Sequence, residues 1–125
     1  MNMMFAVEIE SLPNADDDEI YRAVLYVLCD ENRKPVPAIV ITGVAGDLGT
    51  SSNRTPFLIL KDGRGDYGSD YEDPADRFFE TNLRSKTIKS HELFTVWWAT
   101  ADQRARQIET SFRINKTTLL AGPSL

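Results

Sequence analysis

One cysteine, one histidine and the lack of any long apolar run bound what this 125-residue chain can do. With Cys29 alone, no disulfide forms within the chain and no cage of thiolates can hold a metal. With His91 alone, an acid and base pair working near neutral pH would have to recruit carboxylates. The local signatures of serine hydrolysis, zinc chemistry and thiol catalysis are missing as well. No stretch approaches the roughly 18 to 20 apolar residues that cross a bilayer as a helix. The start, MNMMFAVEIE, carries no basic segment and turns acidic at Glu8, so it does not read as a secretory signal. The expectation is therefore a cytoplasmic protein, or a virion component, with no membrane partner. No catalytic residue, no cofactor and no metal site are expected.

What is present suits one domain of short strands. An apolar content of 42% is that of a globular chain, and six prolines and seven glycines punctuate short apolar runs. The organising stretch is Ile20 to Gly43, two apolar arms around a charged, proline-marked break. Its first arm fits two patterns. Ile20, Ala23, Val24, Val27 and Leu28 make a helical stripe, with Asp16 and Glu19 spaced as a capping box. As a strand it puts Tyr21, Ala23, Leu25, Val27 and Cys29 on one face and Ile20, Val24, Tyr26 and Leu28 on the other, buried on both sides. The second arm, Ala38 to Thr42, is rich in β-branched residues, and Pro35 and Pro37 before it cannot lie inside a helix. The preferred assignment is a β-hairpin.

The segment DENRKPVPAIVIT resembles the D-x-N-G-x-P-V-P-G-x-x-V hairpin of bacterial immunoglobulin-like repeats, of the invasin and carboxypeptidase regulatory-like types. Asp30, Asn32, Pro35, Val36, Pro37 and Val40 are the matching positions. LKDGRGDY, from Leu60, resembles a later turn of the same domains. Arg33 stands where that family has its turn glycine, and Ala38 departs from the pattern too. The resemblance covers about a quarter of the chain and implies a β-sandwich, in a family of mostly structural or adhesive modules.

Along the rest of the chain, Met4 to Glu10 alternates, with Phe5, Val7 and Ile9 on one face, as a half-exposed strand does. Ser11 to Glu19 reads as a connecting loop. Thr42, Gly43, Gly46 and Gly49 have the spacing of a dinucleotide-binding loop. Such a loop needs a helix after its last glycine to aim N–H groups at a pyrophosphate, but Pro56 follows too soon, so a strand connection is preferred. Phe57 to Leu60 is a third strand. Asp73-Pro74 has helix-starting chemistry that predicts a turn or two through Phe79. Arg84 to Lys89 alternates as a strand, Ser90-His91-Glu92 is a turn with a surface histidine, and Leu93 to Trp98 is a strand with Phe94, Val96 and Trp98 on one side. Ala99 to Glu109 is a hairpin loop or a short helix, with Thr100 and Gln103 as a capping box. Ser111 to Leu120 closes the sheet, and residues 121–125 are a tail.

The fold class is therefore all-β and mainly antiparallel, a β-sandwich or small barrel with at most one or two short helices, over residues 1–125. Its charge is polarised: residues 1–80 hold 16 acidic and seven basic groups, the remainder three and seven. The longest acidic stretch, Asp62 to Glu80, carries seven carboxylates and is punctuated by Tyr67 and Tyr71. The expected binding residues are Trp97, which the alternation turns away from the core, with Tyr67, Tyr71, Asp66, Asp70, Glu72 and Asp73. Asp62, Asp66, Asp70, Glu72 and Asp73 could gather around calcium, but Arg64 breaks the spacing of a helix-loop-helix calcium loop, and an acidic surface loop is preferred. The expected function is a non-enzymatic binding or assembly module of a structural, surface or phage kind. The alternative is a small acidic inhibitor that blocks a basic protein by charge mimicry. Its partner would be another protein or a second copy of the chain, with direct nucleic-acid binding disfavoured by the net charge of −5.

Overall fold

The computed structural model describes residues 2–13, 20–46, 54–69, 71–72, 77–98 and 108–122. It contains eight antiparallel strands in sequence order: β1 Met3–Ser11, β2 Arg22–Cys29, β3 Ile41–Ala45, β4 Thr55–Ile59, β5 Arg64–Asp66, β6 Phe78–Thr81, β7 Leu93–Trp98 and β8 Ile108–Ala121. Each pairs with the next, and β8 returns to β1 along Met4↔Ala121 to Ser11↔Phe112, so the sheet closes as an up-and-down barrel. Two irregularities in the β1–β8 register, at Met4/Phe5 and Glu8/Ile9, fall where a closing sheet must bend. Of the two architectures expected, the chain adopts the barrel: its strands form one ring and do not separate into facing sheets. Among the described residues the helical content is one 3-10 turn, Leu83–Ser85, and the α-helical position Arg77.

Alternation explains which way each strand faces. Phe5, Val7 and Ile9 of β1 point inward, as do Ala23, Leu25, Val27 and Cys29 of β2, and all are buried. Phe94 and Val96 of β7 and Phe112 and Ile114 of β8 complete the apolar interior. Outward positions carry charge, with Glu8, Arg22, Arg64, Glu80, Glu109 and Lys116 exposed, alongside exposed Tyr26, Leu58, Leu93 and Leu119. The apolar inside differs from the polar interior of a barrel that faces lipid. No helix among the described residues is long and apolar enough to cross a membrane.

The organising stretch is a hairpin, β2 against β3 with Leu25 opposite Gly43, and its first arm is a strand. Two details of the expectation are corrected. Burial of β2 on both sides is found in part, since on its outward face Val24 is buried and Leu28 half-buried but Tyr26 is exposed. The second arm starts at Ile41, after a turn that includes Ala38 and Ile39, because Pro35 bridges to Cys29 and delays the ladder. Arg33, where the resembling family has glycine, adopts a left-handed φ of 61°. Asp30 holds that turn by accepting hydrogen bonds from the N–H groups of Asn32 and Lys34 at 2.9 and 3.0 Å.

Two other expectations are corrected. Arg84 to Lys89 is not a strand, because Leu83 and Ile88 are both drawn into the barrel as a plug and the segment between them turns. The far bound of the helix expected through Phe79 is what fails, since Arg77 is helical but β6 takes over at Phe78, and residues 73–76 lie outside those described. The tripeptide Arg64-Gly65-Asp66 is β5. Gly65 is required there, because a side-chain carbon would collide with the Phe79 ring lying over it.

Candidate functional site

The ends of the barrel differ. At one end, where β1 begins, the lumen is filled by Phe5, Val27 and Ile41 and stoppered by Leu83 and Ile88, both wholly buried. Arg33 lies 4.4 Å over the Phe5 ring and donates to the Ile88 carbonyl at 2.7 Å and to Thr117 Oγ1 at 2.8 Å. Arg84 spreads its guanidinium over four carbonyls, donating to Leu60, Ile39, Ile59 and Val36 at 2.7, 2.8, 3.0 and 3.4 Å. One side chain thus satisfies backbone acceptors from two connections at once.

The opposite end is hollow. A cavity of about 620 Å³ runs down from the rim. Its shape follows from residue size around the ring. β1, β2 and β3 contribute Ile9, Ala23, Leu25 and Ala45, with Gly46 just beyond, and the small residues leave space unfilled. The remaining strands contribute Phe57, Phe79, Phe94, Trp98 and Phe112, with Tyr67 following β5. In a ring of eight, each strand faces the one four places on. Ala23 of β2 therefore stands across from Phe79 of β6, and Ala45 of β3 across from Trp98 of β7. The lumen tapers: Ile20 and Tyr21 at the rim are about half exposed, whereas Leu25 and Ile59 at its floor are almost wholly buried.

The aromatic wall is one connected cluster. Tyr67 meets Phe57, Phe79 and Tyr71 with ring centroids at 5.6, 5.4 and 5.9 Å, and Phe79 meets Trp98 at 5.2 Å. Tyr67 and Trp98 lie nearly parallel, at 14° and 6.4 Å. The Trp98 indole N–H donates to Thr110 Oγ1 at 3.2 Å, which fixes the ring's orientation. Burial pushes the Tyr67 hydroxyl up to about 12, so it is a neutral phenol across the physiological range. A second, outer cleft of about 410 Å³ lies against the far sides of Phe57 and Tyr67. The seam beside it, β4 with β5, holds only two residue pairs.

The lining carries little that could catalyse. Among the described residues it includes no carboxylate, histidine or cysteine, and its titratable members are Tyr21, Arg22 and Tyr67. The Arg22 Nε–H is turned outward to Glu10 at 3.1 Å, a carboxylate that also meets Arg113 at 3.4 Å. No group of three or more metal-ligating side chains gathers among the described residues.

The residues expected from sequence to bind are scattered with respect to this cavity. Tyr67 lines it, and Tyr71 packs on the outer side of Tyr67 while remaining exposed. Asp66 is engaged within the chain: Oδ1 accepts from the Gly68 N–H at 2.7 Å and from Arg77 Nε at 2.8 Å, and Oδ2 from Arg77 Nη2 at 3.2 Å. The Arg77 carbonyl in turn accepts from the Tyr67 N–H at 2.9 Å, so the clamp sets where that ring stands. Glu72 is exposed, and Asp70 and Asp73 lie outside the described residues. Trp97 faces outward as expected, but it is half-buried and its indole N–H donates to Glu109 Oε1 at 3.0 Å. His91 is an exposed turn residue with φ of 73°. Gly43 and Gly46 belong to a strand and the start of a strand-to-strand connection, and Gly49 lies outside the described residues. Sequence reasoning missed the lumen. Its signal was the pair of small residues Ala23 and Ala45, opposite each other at inward positions of two paired strands.

Comparison with known protein families, with characterised proteins and with solved structures finds no match for this chain.

Proposed function

We propose that this protein binds a small apolar molecule in the open end of its barrel. The observation that carries the reading is the tapering cavity of about 620 Å³, walled by an aromatic cluster and stoppered at the far end. Eight strands enclose a lumen wide enough either to be filled by side chains or to hold one small ligand. Here the stoppered end takes the first course and the hollow end the second. The volume lies within the range of small-molecule sites, and the lining has their composition, mostly apolar with a few polar groups. Binding is favoured over catalysis by the absence of an acid or base among the described lining residues.

This reading keeps the expectation of a binding module and moves the contact from the outside to the lumen. A protein-binding role would draw on outer-face groups, of which Trp97 and Asp66 already have partners within the chain. The lumen supports a small ligand better than the exterior supports a protein.

The test is titration with the neutral reporter N-phenyl-1-naphthylamine, whose fluorescence rises in apolar surroundings. Saturable enhancement is expected, and Ala45→Leu, which fills the lumen from a position with room for it, should abolish it while leaving the thermal melt close to that of the parent. No enhancement, or enhancement equal in the filled variant, would remove the proposal.

A further inference from the structure

Resting on that reading, we infer that the ligand is an uncharged, flat, ring-containing molecule, as opposed to a saturated chain or a carboxylate. The wall residues argue for flatness. Phe57, Tyr67, Phe79 and Trp98 form a connected aromatic cluster with successive centroids 5.2 to 5.6 Å apart and successive rings tilted by 45 to 60°, within which Tyr67 and Trp98 lie nearly parallel, while the facing wall is cut back to Ala23 and Ala45. The nearly parallel Tyr67 and Trp98 rings opposite small side chains leave room beside an aromatic pair. A planar ring system fills such space and gains offset or edge-on contacts, whereas a flexible chain must first lose rotational freedom to lie there. The nearly parallel rings of Tyr67 and Trp98 set the direction in which a flat molecule would lie.

Charge argues for neutrality. A carboxylate taken into an apolar lumen needs a cation or several donors. Among the described residues the guanidinium in the lining is that of Arg22, whose Nε is committed outward to Glu10, and Arg33 and Arg84 serve the stoppered end. What the lumen presents instead are neutral hydroxyls, Tyr67, Thr110 and Thr81, of which Thr81 donates to the Thr95 carbonyl at 2.8 Å. With the Thr81 proton spent on Thr95, the Tyr67 and Thr110 hydroxyls suit a carbonyl, ether or phenol on the ligand's edge.

The experiment is equilibrium dialysis of the full chain against three probes: flavone as the neutral planar ring system, 1-dodecanol as the neutral chain and dodecanoate as the charged one. Flavone is expected to be retained about tenfold more tightly than either chain, the scale of one or two aromatic contacts. Trp98→Leu and, separately, Tyr67→Leu should shrink that ratio towards one, each checked for folding by its far-ultraviolet spectrum. If a chain is retained as well as flavone, and Ala45→Leu abolishes its retention, the lumen is a binding site and the inference about ligand class is wrong. If none of the three is retained, or Ala45→Leu leaves retention of flavone unchanged, the lumen is not the site and both proposals fall.

Discussion

The same eight strands build two ends of opposite character. At the stoppered end, large inward residues meet a plug from the β6–β7 connection, which Arg84 ties to carbonyls of neighbouring connections and Arg33 holds by its Ile88 carbonyl. At the hollow end, Ala23, Ala45 and Gly46 stand where larger residues would fill the ring, and the aromatic wall has one face left over. Close packing stabilises, and a site needs room that packing would take away. The contrast indicates that one end carries most of the barrel's stability while the other forgoes some of it in leaving a cavity. Substitutions matched between the ends would show whether that division holds.

The largest difference is expected from truncating the plug. Ile88→Ala removes a wholly buried side chain from a packed site and should cost about 3 kcal/mol, a large part of the stability of a domain this size. Ile20→Ala, at the hollow rim, should cost less than about 1 kcal/mol. Urea unfolding measures both. Equal costs would mean that the hollow end is as tightly packed as the other, and the division of roles would fail.

Next in size is Arg84. Replacing it by Met keeps the stem and removes every donor to four carbonyls, and a loss of about 2 kcal/mol is expected. Lysine should recover little, because an ammonium group cannot span acceptors that a planar guanidinium reaches together. Full recovery by Arg84→Lys would show that charge, and not the fan of hydrogen bonds, fastens the plug.

A third comparison uses alkali. Cys29, near the stoppered end, is wholly buried, and burial pushes its thiol up from 9.0 to about 11. Tyr67, at the hollow end, is pushed from 10.0 to about 12, again by burial. Both groups hold their protons more tightly folded than unfolded. Their contributions are complete below the unfolded values and are lost as pH rises, from about 9 to 11 for Cys29 and from about 10 to 12 for Tyr67. Each is worth roughly 2 to 3 kcal/mol at most. Cys29→Ala should flatten the first part of the decline in urea midpoint, and Tyr67→Phe the second. A decline unchanged in both variants would place alkaline sensitivity elsewhere.

How much of this was legible in the chain depends on how local each cause is. β7 and the inward set of β1 could be read because alternation is written along one strand, and LFTVWW assigns Trp98 inward and Trp97 outward without help from the fold. β5 could not, since three residues with a central glycine carry no alternation, and Gly65 is buried by a ring from the next strand. β6 was hidden by Asp73-Pro74, whose helix-starting chemistry is genuine but says nothing of how far a helix runs. Arg84 to Lys89 alternates in the letters, yet Leu83 and Ile88 are claimed by the lumen and Arg84 by carbonyls from elsewhere in the chain. The cavity was the least legible feature. An alanine opposite a phenylalanine makes space only once the ring closes, and closure is a property of eight strands together. Tyr67 was singled out for its acidic neighbours, and it lines the site for its ring.

The smallest expected effect concerns those acidic neighbours, and it separates two roles for Asp66. The Arg77 hydrogen bond, with a further one from the Gly68 N–H, holds the Asp66 carboxyl below its ordinary 3.8. A carboxyl lowered on folding contributes stability above the unfolded value and loses it as pH falls through the folded one. Asp66→Asn should therefore flatten the acid limb of the stability profile below about pH 4, by little, because partly exposed ion pairs contribute little. Its more telling consequence is positional. If Asp66 acts as a clamp, loosening it frees the turn that carries Tyr67, and the fluorescence of reporter bound in the lumen should fall while its salt dependence stays flat. If Asp66 instead presents charge to a basic partner, the reporter signal should be untouched by the substitution. Binding of the partner would then weaken, and that weakening would shrink as salt is added. The clamp is the outcome expected, because both oxygens of this carboxylate already accept hydrogen bonds within the chain.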